Sequence, residues 1–240
     1  MILVGIDDTD TLDSRGTNKL AQQMVAEVRD AFRCHWIARH QLLSDPRIPF
    51  TSKNGSASLV MEATSSQNWE DLRDRFEQIM LREFIPGSDP GLCVVPYPTP
   101  TPMTALVEFA HRCQQQIVTQ DEARQVAKQA GVFLKGLGGT NGGIIGSLAA
   151  VGLAMIGNDG RVVQRGNCTE EPTGIQTLAD LALAGVTVKT WPEQQPVTTG
   201  LVDVGKKLRP NLRERHFVLF VEPFPPSAAD SPAWRALKLL

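Results

Sequence analysis

The segment Lys135-Gly-Leu-Gly-Gly-Thr-Asn-Gly-Gly143 runs directly into a stretch of small and apolar residues in which Ile144, Leu148, Val151 and Met155 recur at helical spacing. A helix that is apolar all round is expected to be buried, so the rest of the chain has to fold around it. The length allows this. With 240 residues, 42% of them apolar and 21% charged, the chain fits one large domain or two small ones with a proper core.

A second fixed point is the N-terminus. Ile2 to Ile6 reads as a buried strand that stops at an acidic loop, Asp7 to Arg15. Leu20, Met24, Val28 and Phe32 follow at helical spacing, with Thr17 or Asn18 as N-cap. Strands are expected at Cys34 to Leu43 and Ser56 to Met61, and an amphipathic helix over Trp69, Leu72, Phe76, Ile79 and Met80. Pro86 to Pro102 reads as irregular, because the prolines of its second half cannot sustain a helix or a full ladder. Helices are expected at Met103 to Gln115 and at Gln120 to Gln129, the second opened by the capping box Thr119-x-x-Glu122. Asp159-Gly160 gives a hairpin signal before the strand Arg161 to Gln164. A short helix from Gly174 to Ala184, closed by Gly185, and strands near Val186 to Trp191 and His216 to Val221 complete the pattern. The fold class is α+β, a mixed α/β chain without a regular βαβ rhythm.

Composition excludes several classes. A net charge of −2 argues against a nucleic-acid binder that works by bulk positive charge, though not against a local basic patch. Fourteen aromatic residues, one of them Tyr, argue against an extended base-stacking platform. No apolar run reaches the ~18 residues of a membrane span, and the N-terminus lacks the basic segment of a signal peptide. Cys34, Cys93, Cys113 and Cys168 are far apart, so they read as reduced, buried thiols of a cytoplasmic protein.

Two segments carry candidate chemistry. Asp7, Asp8 and Asp10 lie where a hydrophobic strand ends, a placement suited to Mg²⁺, which takes one or two carboxylates plus substrate phosphates. In an extended chain Asp8 and Asp10 share a face and Asp7 points away. A solvated turn is the plain alternative. A dehalogenase-type phosphatase, with Asp8 as nucleophile, is a rival reading, although the Asp-x-Asp-Gly-Thr pattern lacks its Gly here. The second segment is Gly136 to Gly143. Glycines ahead of a helix let backbone N–H groups approach a phosphate, or serve close packing. It is neither a Walker A loop nor a clean dinucleotide fingerprint. A polar loop, Phe50-Thr-Ser-Lys53-Asn54-Gly55, adds one cation.

In order along the chain come Val4-Gly-Ile-Asp-Asp-Thr-Asp10, Arg15-Gly16, Ile48-Pro-Phe50 with Asn54-Gly55, Asp89-Pro-Gly91, and Gly143-Ile-Ile-Gly-Ser-Leu-Ala-Ala-Val-Gly152. This order resembles the archaeal agmatinylcytidine synthetase family, which attaches agmatine to the anticodon cytidine of an isoleucine tRNA. The resemblance covers about the first two thirds of the chain. It implies a kinase-like ATP-binding domain with an associated ferredoxin-like portion, ATP and Mg²⁺ as cofactors, and phosphoryl transfer. By position it implies that Asp7, Asp8 and Asp10 hold the metal, that Asp7 and Asp8 are catalytic, and that Thr17 is the phosphorylated threonine. Gly138, Gly139, Gly142 and Gly143 would cradle phosphates, with Lys53 and Asn54 nearby and Lys135 as a further cation. The chain departs from the family in lacking its OB fold, its zinc ribbon, and the Lys and Arg of its Gly-rich loop.

The expected division is a nucleotide-binding region over 1–160, interrupted by a small α+β insertion near 56–118, and an α+β portion over 161–240. Lys206, Lys207, Arg209, Arg213 and Arg215 form one more cluster, read as a solvated sheet edge in preference to an RNA contact. The four His residues are isolated and receive no role. The expected function is ATP-Mg²⁺-dependent phosphotransfer to Thr17 or an unidentified acceptor. The alternatives are a nucleotide sensor without chemistry, a subunit of a split tRNA-modifying enzyme whose partner grips tRNA, and the phosphatase. Expected partners are a nucleotide, an acceptor substrate, tRNA through such a subunit and a second copy of the chain, but no membrane.

Overall fold

The computed structural model describes residues 1–48, 53–64, 66–99, 103–167, 171–224 and 232–239. Its first six elements are β1 (Ile2–Asp7), α1 (Thr17–Val28), β2 (Phe32–Gln41), β3 (Gly55–Ala63), α2 (Trp69–Arg82) and β4 (Gly91–Pro96). The strands pair antiparallel in the order β4-β1-β3-β2. This is the ferredoxin-like split-βαβ arrangement. Strands β3 and β4 flank β1 on its two sides.

Alternation along β1 sends its side chains to two cores. Ile2, Val4 and Ile6 pack with α1 and α2 residues such as Met24, Leu72 and Phe76. Leu3 joins the opposite core. There α3 (Thr104–Gln115), α4 (Gln120–Ala130) and α5 (Ile144–Ile156) cover the sheet, and β5 (Phe133–Gly136) extends it beside β4. Helix α5 is buried along almost its whole length, as its composition requires. It lies unusually close to the sheet because glycine faces backbone. A Cβ on Gly5 would stand 1.9 Å from the Ser147 carbonyl oxygen, and one on Gly91 would stand 2.2 Å from the Gly143 carbonyl.

The remaining elements are β6 (Arg161–Arg165), β7 (Ile175–Gln176), α6 (Leu178–Leu183), β8 (Val186–Thr190), β9 (Val202–Asp203), β10 (Asn211–Arg213), β11 (His216–Pro223) and β12 (Trp234–Ala236). They continue the sheet through β2-β6-β10-β11-β12-β9-β7, with β8 parallel to β11. A separate small core forms here around Leu181, Val188, Leu208, Leu219 and Val221.

Three local expectations need correction. The segment read as irregular contains β4, a fully enclosed strand next to β1. Leu92-Cys-Val-Val95 is a short continuous apolar run, and the adjacent prolines masked it; Pro96 only closes the strand. Pro100 to Pro102 lie outside the described residues. Asp159-Gly160 joins α5 to β6 and is not a hairpin between paired strands. Thr17 does not cap α1: Gly16 takes the extended N-cap position without a side-chain bond, and Thr17 is the first helical residue. The capping box at Thr119 and Glu122 is present. Cys34, Cys93 and Cys113 are free and buried, and burial pushes the Cys34 and Cys113 thiols up to about 12. Cys168 lies outside the described residues.

His40, given no role from sequence, ties the sheet to the α5–β6 turn. Its Nε2 meets Ser58 Oγ at 2.7 Å and its Nδ1 meets Asp159 Oδ1 at 2.7 Å. The order matches a hydrolase triad. Yet Ser58 and His40 are both 0% exposed, which puts the hydroxyl out of reach of any substrate. The chain of bonds is structural. Burial works to raise the Asp159 carboxyl, but the bond and charge of His40, the bond from Gln114 and the Arg213 charge together hold it below the usual range. His40→Ala is expected to cost about 3 kcal/mol, because it opens a cavity and strips buried groups of partners. The loss should appear as a drop of roughly 6–12 °C in Tm. An unchanged Tm would exclude the role.

Candidate functional site

Strand β1 ends at Asp7, and Asp8 then turns into the left-handed region, with φ of +51°. This turn breaks the alternation expected of an extended chain. Asp7 and Asp8 line one cavity together, on the α5 side. Asp10 faces the α1 side and lines a different pocket with Gly16, Thr17, Asn18, Arg39 and Lys53. The acidic loop therefore stands between two depressions.

The first has a volume of about 250 Å³. Its polar wall is Asp7, Asp8, Asp89, Thr140 and Gly142; its apolar wall includes Leu42, Ile48, Ile117 and Ile145. The Asp7 carboxyl is pushed well above the usual carboxylate range by burial and then by the Asp8 charge. Asp8 rises to about 6 through burial and the nearby Asp89. Asp10 is raised by burial, against the hydrogen bond from Thr17. For Asp7 and Asp8 these shifts mark buried carboxylates crowded by their acidic neighbours, whereas Arg39 partly offsets the burial of Asp10.

The glycines that follow divide into two kinds. Gly139, at φ of +56°, lies against the Asp89 carboxylate, where a Cβ would stand 1.6 Å from Oδ1. Asp89 accepts from the Thr140 backbone N–H at 2.8 Å and from its hydroxyl. Gly138 packs on the Phe84 ring, and Gly143 on the backbone of Asp7, Asp89 and Gly91. Of the four glycines singled out from sequence, Gly142 alone lines the cavity. Gly146, in the first turn of α5, leaves room for the Asp7 carboxylate: a Cβ there would meet Oδ2 at 1.8 Å. Asn54 lines this cavity while donating to the Leu43 carbonyl. Lys135 pairs with Glu77 and does not line it. Residues 49–52, and with them Phe50, lie outside the described set.

In the second depression the Thr17 hydroxyl accepts from Thr9 Oγ1 at 3.1 Å and donates to Asp10 Oδ1 at 3.3 Å. Thr17 thus turns back to the acidic loop. Arg39 and Lys53 stand in the same pocket. Sequence reasoning missed Asp89 as a site residue, although Asp89-Pro-Gly91 stood in the motif order. It also missed Arg39, a mid-strand residue that nothing local distinguishes, and Gly146.

Among the described residues no group of three potential ligands stands ready to hold a metal. The donor set still fits Mg²⁺, which keeps several waters and needs one or two carboxylates. Two hard oxygen donors of raised pKa, side by side in a cavity, meet that need.

The fold of about two thirds of the chain resembles part of a tRNA-modifying enzyme. No protein-family model matches the chain. The chain resembles solved structures of TiaS, the tRNAIle2 agmatidine synthetase: a TiaS–tRNA(Ile2)–ATP complex at 25% identity and a TM-score of 0.55, covering 63% of this chain and 36% of that one. A tRNA fluorescent labeling enzyme is similar at 26% identity and a TM-score of 0.55, covering 63% and 35%. Uncharacterized protein MJ0921 of Methanocaldococcus jannaschii is 26% identical over 153 residues, 64% of this chain and 50% of that protein. The chain therefore spans about half of this curated relative and about a third of the solved structures. No helix among the described residues is long and apolar enough to cross a membrane.

Proposed function

We propose that this chain binds ATP with Mg²⁺ at the acidic loop and serves a tRNA-modification reaction by phosphotransfer, in the cytoplasm. The observation that carries the reading is the convergence of Asp7, Asp8 and Asp89 with Gly142 and the start of α5 on one cavity. The likeness to an ATP-bound TiaS complex supports it. Asp7 and Asp8 would hold the metal, and Asp10 would act from the other side of the loop. When bound, ATP supplies the phosphoryl group and Mg²⁺ neutralises its charge. The chain's own part is positioning. Asp89 holds Thr140 and the Gly-rich loop in place, and the apolar wall at Leu42, Ile117 and Ile145 suits a base. The phosphate-binding role of Gly138, Gly139 and Gly143 is indirect: they let the loop and helix close on the acidic strand end. The nucleotide-binding part is 1–160.

A ligand that binds the native state raises Tm. ATP with Mg²⁺ should therefore raise the Tm measurably, and ATP with EDTA should do so far less. No shift at millimolar ATP and Mg²⁺ would overturn the reading.

Thr17 is the proposed phosphoacceptor within the chain. Its hydroxyl faces Asp10, and Arg39 and Lys53 share its pocket, so a phosphate there would meet two cations. Incubation with ATP and Mg²⁺ should add phosphate to the peptide containing Thr17, seen by mass spectrometry, and Thr17→Ala should remove it. An unmodified peptide in protein that binds ATP would reject self-phosphorylation and favour a nucleotide sensor or subunit.

A further inference from the structure

The basic cluster read from sequence as a sheet edge is not one. Lys206, Lys207 and Arg209 lie in the loop between β9 and β10, and β10 is paired with both β6 and β11. Arg213 and Arg215 separate from them: Arg213 donates to the Leu212 carbonyl, and Arg215 to the Met155 carbonyl at the end of α5. In their place the fold brings cations from distant parts of the chain. Arg161 on β6 and Lys19 on α1 line one depression with Lys207 and Arg209. Lys207 and Arg209 also line the next, together with Lys206, Arg235 and Lys238. In the other direction Asn18 is shared between the Arg161 depression and the pocket of Asp10, Thr17, Arg39 and Lys53. Three adjoining depressions thus form one track that ends at the acidic loop.

Apart from the pull of the Asp10 carboxylate on Arg39, no ion pair among the described residues balances the charge on this track. Neither Arg39 nor Arg161, both half-buried, has an ion pair or hydrogen bond among the described residues. Buried guanidinium donors ordinarily find acceptors. Burial and then the neighbouring Arg209 and Arg39 charges work against the Arg161 guanidinium. Among the described residues that line the track, Asp10 and Asp203 are the carboxylates, and Asp203 accepts from the Gly205 N–H. The Asn18 side-chain oxygen, at the junction, is also unpartnered. A row of cations at successive depressions matches the repeated charge of a phosphodiester chain, which binds through such contacts with the release of counterions.

We propose that this track binds the backbone of an RNA strand and leads one of its nucleotides to the acidic loop at Asp10. The surface joins β2 and α1 to the C-terminal β6, β9–β10 loop and β12. It deepens the function proposed above and rests on that reading for the choice of RNA.

The test is fluorescence anisotropy of a labelled RNA stem-loop titrated with the full chain, without nucleotide, over a salt series. Binding should weaken steeply with salt, by roughly 0.7–0.9 in the log–log slope for each phosphate contacted. The double variant Lys207→Glu/Arg209→Glu should bind at least ~10-fold more weakly and with a shallower slope. Lys128→Glu, on the exposed face of α4 across the sheet, should bind like the parent. Because Arg209 is half-buried, Lys206→Glu/Lys207→Glu is measured beside it, with melting curves for every variant. Unchanged affinity in a folded variant, equal losses in Lys128→Glu, or no binding by the parent would overturn the proposal. The ATP-dependent Tm shift is read on the same samples. If it persists while RNA binding is absent, the track fails and the nucleotide site stands. If RNA binds through the track and ATP gives no shift, the reverse holds.

Discussion

Asp8→Asn should make the ligand-free protein more stable and at the same time abolish most of its Mg²⁺-dependent affinity for ATP. The two effects have one cause. Asp8 sits in the left-handed region at the strand end, with burial and Asp89 raising its carboxyl to about 6. Below its ordinary value of 3.8, folded and unfolded chains are both protonated, and Asp8 costs nothing. As pH rises towards about 6 the unfolded chain ionises first, so the folded state loses ground; above about 6 the full penalty stands. Asn keeps the shape and removes the charge, and it tolerates positive φ. Its Tm should exceed the parent's at pH 7–8, and the difference should shrink as pH falls through about 6 and vanish only below the ordinary value of 3.8. Nucleotide affinity in Mg²⁺ should fall at least ~10-fold, about 1.4 kcal/mol, because a hard ligand to the cation is gone. A variant that binds ATP-Mg²⁺ as tightly as the parent would remove Asp8 from the metal site. A trade of stability for function of this kind is common where a site gathers like charges.

Gly5→Ala should damage the fold more than any other single methyl group added to β1. Gly5 is in the middle of the central strand, paired to Ser58 on one side and Cys93 on the other. The new Cβ would stand 1.9 Å from the Ser147 carbonyl oxygen and 2.9 Å from its carbon. Both are helix backbone and cannot rotate away. Either α5 lifts from the sheet or β1 shifts, and both movements disturb the core that holds Leu148 and Val151. Overpacking of this sort costs ~3 kcal/mol or more, a fall of at least roughly 6–12 °C in Tm, and low soluble yield. Any folded fraction should also respond weakly to ATP, since α5 carries Gly146 against the Asp7 carboxylate. A Gly5→Ala protein with the parent's Tm would mean that the approach of α5 to β1 is looser than described.

Much of this was legible in the residues. Ile2 to Ile6 is apolar without interruption and stops at carboxylates, so a buried strand with an acidic end followed from burial alone. Helix α5 declared itself by having no polar face, and α4 by its Thr119–Glu122 capping box. Such features depend on neighbours within about four residues, where spacing is a direct record of geometry. The tertiary structure decided the rest. Strand β4 hid beside prolines, because a short apolar run has no period of its own. Asp7 and Asp8 came to share a cavity through one backbone turn at Asp8, which no alternation rule anticipates. The glycines around Gly139 and Gly143 are set by what presses on them, the Asp89 carboxylate and the strand backbones, which lie some fifty residues or more away in the chain. Arg39, Arg161 and Arg209 are unremarkable apart and form one surface only because β2, β6 and β10 are neighbours. Local order follows from a residue's own steric and polar preferences, whereas a site made of charges gathered from separate strands exists only once the sheet has chosen its order.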